Sequence, residues 1–162
     1  MSVQEYNECV KQYSDRVYRF ILKNMKNDED AKDVVQNAFE TLWRHVHDVE
    51  FGKSRSYLFT VAYHNMIDQF RKQKRNTNLN ESHELIESER GNSYSDAKTI
   101  IENALKRLPE IQQTVILLRD YEGYDYEEIG RITGLNEAQV KVYIFRGRQT
   151  LKNYIVKLEK VI

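Results

Sequence analysis

Apolar residues recur at steps of three and four along most of this 162-residue chain, and only one proline interrupts it. A spacing near 3.6 residues gathers apolar side chains into one stripe of a helix, whereas a half-buried strand needs a period of two. The expectation is an all-α fold. Ser2 followed by Glu5 has capping-box spacing. Val3, Tyr6, Val10, Tyr13, Val17, Phe20 and Ile21 then predict a buried stripe on a helix ending near Lys26. "NDEDAKDVVQNAFETLWRHV" opens with acids, which suit a helix N-terminus. Its predicted inner face is Ala31, Val34, Val35, Ala38, Phe39, Leu42, Trp43 and Val46, with Trp43 read as core. After the break at "FGKS", a third helix is predicted from about Ser56 to Lys74.

The pattern fails at Asn76. "NTNLNESHELIESERGNSYSD" is polar and acidic, the composition of a flexible linker, with room for a short turn at Leu85 and Ile86. This divides the chain into two small helical domains, 1–75 and 96–162, joined by a linker at 76–95. Few contacts need cross between them. Asp96 is the expected cap of a helix burying Ile100, Ile101, Ala104, Leu105 and Leu108. Pro109 suits the first turn of the next, which buries Ile111, Val115 and Leu118 and stops near Gly123.

Tyr126 to Phe145 has the spacing of a helix-turn-helix. Asp125 and Glu128 form an expected capping box, Gly130 is small where two helices approach, and Gly134 can take positive φ in the turn. Asn136 can cap the second helix. On that helix Val140, Ile144, Gly147 and Leu151 share one face, while Lys141, Val142, Phe145, Arg146 and Gln149 share the other. The outward set mixes long donors with apolar groups, as contacts to phosphates and base edges require. Yet the chain carries 25 basic and 25 acidic residues. A protein that grips duplex DNA alone usually has excess positive charge. Here the basic excess is local: from Lys141 onward six cations face only Glu159.

Three stretches, in order, resemble one family. "DAKDVVQNAFETLW", "YLFTVAYHNMIDQFRKQKR" and "LPEIQQTVILLRDYEGYDYEEIGRITGLNEAQVKVYIFRGRQTL" are similar to the motifs of the extracytoplasmic-function sigma factors. The resemblance covers nearly everything outside the linker. It implies a subunit that binds bacterial core RNA polymerase, reads and opens the −10 promoter element with its N-terminal domain, and reads the −35 element with its C-terminal domain. It also implies an anti-sigma factor as a further partner. Neutral charge suits such a subunit, because core polymerase supplies most of the grip on DNA phosphates.

The resemblance assigns core docking to Asp33, Gln36, Asn37 and Glu40 on the second helix. Asn37 stands where the family usually has Glu, so one ionic contact is expected to be missing. Phe51, Tyr57, Phe59 and Tyr63 lie near the basic run "RKQKR", and aromatic rings beside cations suit unpaired bases. Tyr63 is the ring expected to be exposed. The −10 set is then Tyr63, His64, Arg71, Lys72, Lys74 and Arg75, with His64 where the family usually has Asn. The −35 set is Gln139, Lys141, Val142, Phe145, Arg146 and Arg148. The acidic linker is also expected to lie transiently against the basic helices, keeping the free protein compact until polymerase opens it.

Other readings predict different behaviour. A stand-alone helix-turn-helix regulator would bind duplex DNA without polymerase, and leaves the Asp33–Gln36 match unexplained. An enzyme would need a motif such as a Walker loop, GxGxxG or HExxH, and the sequence has none. His45 and His47 fall on different helix faces, so a metal pair is not expected, nor is a cofactor. Cys9 is the only cysteine, which excludes an internal disulfide. With no secretory leader or membrane-length apolar run in view, the expected address is cytoplasmic.

Overall fold

A computed structural model of the chain describes residues 1–77 and 97–161. Among these there is no strand. Seven α-helices occur in order among the described residues: α1 (Val3–Met25), α2 (Asp28–Arg44), α3 (Ser54–Thr77), α4 (Ala97–Lys106), α5 (Glu110–Ile116), α6 (Tyr126–Thr133) and α7 (Glu137–Val161). A 3-10 turn at Phe51–Lys53 leads into α3, and a π-helical segment at Leu117–Tyr121 continues α5.

The caps explain most of the boundaries. Ser2 and Glu5 form the expected reciprocal box at the start of α1. Asn27 accepts from the Asp30 amide at the start of α2. α1 ends where Lys26 turns left-handed at φ 58°, a conformation that favours glycine. α3 starts two residues earlier than the sequence suggests and runs through Thr77, into the segment read as linker. Leu85, Ile86, Asp96 and most of that linker lie outside the described residues. Pro109 sits at the N-cap of α5, one place before the first turn.

Helices α1, α2 and α3 pack as a three-helix unit around Val17, Phe20, Ile21, Val34, Leu42, Leu58 and Phe59. Helices α4 to α7 form a second unit around Leu105, Val115, Leu118, Ile129, Ile132, Val140 and Ile144. The two are not loosely strung, contrary to the expectation of few crossing contacts. α3 packs on α6 and α1 on α5, so one apolar core runs through both.

That docking corrects several expectations about burial. Tyr63, expected exposed, is buried at 7% because the second unit covers its side of α3. Trp43, expected in the core, is 48% exposed and touches Tyr6 edge-on at 4.9 Å. It lies at the rim of its stripe. Val3, Val10 and Ile101 are likewise exposed rather than buried. No described helix is long and apolar enough to cross a membrane.

Candidate nucleic-acid and partner interfaces

The helix-turn-helix forms as its sequence suggests. Asp125 accepts from the Glu128 amide at 2.8 Å. The expected reciprocal bond is replaced, since Glu128 instead takes Arg131 at 2.6 Å. Gly134 closes α6 at φ 79°. Gly130 is required by proximity, because a Cβ there would meet the Leu135 carbonyl oxygen at 2.8 Å. Asn136 and Gln139 make a full box at the start of α7, 2.8 and 3.0 Å, which the sequence reading missed. An Asn followed three residues later by Gln was the available signal.

α7 sorts its faces as expected. Val140, Ile144 and Gly147 are buried against α5 and α6. Lys141, Val142, Phe145 and Arg146 are exposed, Phe145 at 68%. An apolar ring so far out of the core, between two cations, is a surface built for contact rather than for stability. Lys141 pairs with Glu137 at 3.4 Å on its own helix, a weak exposed contact that a phosphate can displace. Two members of the −35 set have other work. Gln139 turns its carbonyl oxygen into the cap. Arg148 forks onto Asp120 of the π segment, at 2.5 and 3.3 Å, and so braces α7 against α5.

On α2, Asp33, Gln36, Asn37 and Glu40 are all exposed along one side of the helix. Gln36 donates to Glu40 at 3.2 Å. Asp33 has no hydrogen bond or ion pair among the described residues. This is an acidic, hydrogen-bonding face with Trp43 one turn beyond Glu40, and together they offer a flat apolar ring beside carboxylates. Such a surface suits a partner presenting arginines.

On α3, His64 is exposed and Tyr63 stands edge-on to it at 5.8 Å. Arg71, Lys72, Lys74 and Arg75 are exposed near the end of the helix, with Arg71 only 4.0 Å from Asp68. Burial raises the Tyr63 phenol above its ordinary pKa, keeping it neutral. Phe59 is fully buried between Phe20 and Tyr124 of the second unit. The structure thus gathers the basic members of the −10 set at one end of α3 and seals the rings at its middle.

Comparison with known proteins identifies both units. Residues 9–76 match the family model Sigma-70 region 2, and residues 98–151 match Sigma-70, region 4. The chain is 31% identical to the ECF RNA polymerase sigma factor SigE of Mycolicibacterium smegmatis, over 96% of this chain but 63% of that protein. It is 30% identical to the ECF RNA polymerase sigma factor SigM of Bacillus subtilis, over 90% of this chain and 92% of that one. The sigma factor RpoE of Bartonella quintana, solved in complex with the anti-sigma factor NepR, shares the fold. Its TM-score is 0.79 at 21% identity, over 94% of this chain and 98% of that one. The chain therefore belongs to the extracytoplasmic-function sigma factors of the sigma-70 superfamily.

Proposed function

We propose that this protein is a promoter-specificity subunit with no catalytic chemistry of its own, acting in the cytoplasm. It binds core RNA polymerase through Asp33, Gln36, Asn37 and Glu40. It contacts the −10 element through α3 and the −35 element through α7. The carrying observation is the face of α7, where Phe145 stands 68% exposed between Lys141 and Arg146 on a helix with a full N-terminal capping box. Neutral overall charge supports a subunit that holds DNA together with a polymerase rather than alone. The relative solved with an anti-sigma factor supports one as a further partner.

The closed arrangement can engage only one promoter element at a time. The element labels imply a separation of about 25 base pairs, or roughly 85 Å at 3.4 Å each. A compact chain of this length has a radius of gyration of about 15 Å. Engaging both elements requires the two regions to part. The segment between Thr77 and Ala97 can reach roughly 65 Å when extended, with the regions themselves spanning the rest.

Reconstitution with core polymerase tests the assignment. Asp33→Arg combined with Gln36→Ala reverses a charge and removes an amide on an exposed face, so helicity is unchanged. Core affinity falls by a few kcal/mol, since a reversed charge in an interface repels its former partner. Undiminished binding by the folded double variant rules out this docking face.

A further inference from the structure

The seam between regions 2 and 4 is held by polar contacts too specific for accidental packing. Glu122 comes just after the π segment, and its side chain is only 11% exposed. Its carboxylate takes Arg55 at 3.1 Å and Arg16 at 3.6 Å, both from region 2. Arg55 also donates to the Glu122 carbonyl at 2.7 Å and lies over the Tyr124 ring at 4.6 Å. Tyr124 in turn packs edge-on against Phe59 at 5.6 Å. A carboxylate drawn this far out of water is tolerated only while its cations remain.

We propose that Glu122 is a latch: by holding Arg55 and Arg16 it keeps region 4 docked over the Phe59–Tyr63 face of α3, and that face meets promoter DNA only after the latch releases. This deepens the promoter-binding reading and rests on it. The masking is one-sided. Val142, Phe145 and Arg146 stay exposed in the closed form, so −35 contacts remain open while the rings of α3 are sealed. Arg55 gains a second role on release. Its guanidinium and the Phe59 ring, freed of Tyr124, together make a stacking surface for an unpaired base.

The test uses the full chain and needs no polymerase. Glu122→Gln keeps the shape and removes the charge. Its expected effect is a shift of at least tenfold toward open molecules, read as an increased radius of gyration by small-angle scattering. Affinity for a fluorescein-labelled single-stranded −10 oligonucleotide rises at least fivefold. Arg16→Met with Arg55→Met approaches the latch from region 2 and opens the chain in the same way; without Arg55 it gains less oligonucleotide affinity than Glu122→Gln. Arg131→Met removes the ion pairs to Glu127 and Glu128 within region 4 and changes neither readout. A Glu122→Gln chain that stays compact overturns the latch. One that opens without gaining oligonucleotide affinity overturns the masking. Failure of the reconstituted holoenzyme to start transcription would instead strike the sigma reading, since the compaction is measured without polymerase.

Discussion

Thr114→Val isolates what the seam contributes. The Thr114 hydroxyl donates to the Asn24 side-chain oxygen at 2.9 Å, across the two regions. Both residues are buried, at 2% and 8% exposure. Asn24 keeps its other bond, to the Phe20 carbonyl at 2.7 Å, because that lies within α1. Valine preserves the shape and removes the donor, leaving a buried amide oxygen without a partner. Such an orphan costs about 1–3 kcal/mol. In the open form water satisfies the same oxygen, so the whole penalty falls on docking. The closed-to-open ratio should drop roughly 5- to 150-fold. Small-angle scattering reads the shift, and hydrogen exchange near the end of α1 reads it locally. That end is sensitive because Gln113 also donates to the Lys23 carbonyl at 2.9 Å, capping α1 from the other region. Adding Asn24→Leu should recover much of the loss, since an apolar pair of similar shape leaves nothing unsatisfied. A Thr114→Val chain with an unchanged radius and unchanged exchange refutes the reasoning, and so does a double variant no better than the single.

Three further outcomes are expected. Arg146→Ala lowers affinity for the preferred −35 sequence by about 1–3 kcal/mol and relaxes selection at one base position, as promoter ranking by holoenzyme would show. Lys26→Gly relieves a left-handed residue and should raise the stability of region 2 by up to about 1 kcal/mol in thermal unfolding. Burial pushes the Tyr124 phenol up to about 12, against an ordinary value of 10. Its contribution is therefore intact below pH 10 and lost as pH rises toward 12, so alkaline titration should open the wild-type chain more steeply than Tyr124→Phe.

Much of each region could be read from periodicity and caps alone. Ser2 with Glu5, Asn136, Gly134 and the two faces of α7 are local signals, and the structure obeys them. The seam could not be read, because its groups look like ordinary surface. Asn24, Gln113, Thr114 and Glu122 are polar residues on helices or at their ends, and their partners lie 67 to 106 positions away. Tyr63 and Trp43 depart from expectation for a related reason. A stripe says which side of a helix faces inward, but what covers each end of it depends on packing. Region 4 covers Tyr63, and nothing described covers all of Trp43. Arg148 looks like another base-reading cation in the sequence, since nothing in a helical period announces its bond to Asp120.

The π segment at Leu117–Tyr121 ties these observations to chain length. A π turn holds one more residue than an α turn, and each residue of a helix advances by about 100°. Asp120, inside the widened turn, faces Arg148 of α7, while Glu122, just past it, faces Arg55 of α3. If the same residues wound as regular α-helix, the chain beyond this turn would rotate by about that angle. Neither carboxylate could then meet its arginine. Such a rewinding, with both carboxylates and both arginines still present, would loosen α7 and unlatch the regions together. The register of this single turn is thus a mechanical setting shared by the recognition helix and the closed state.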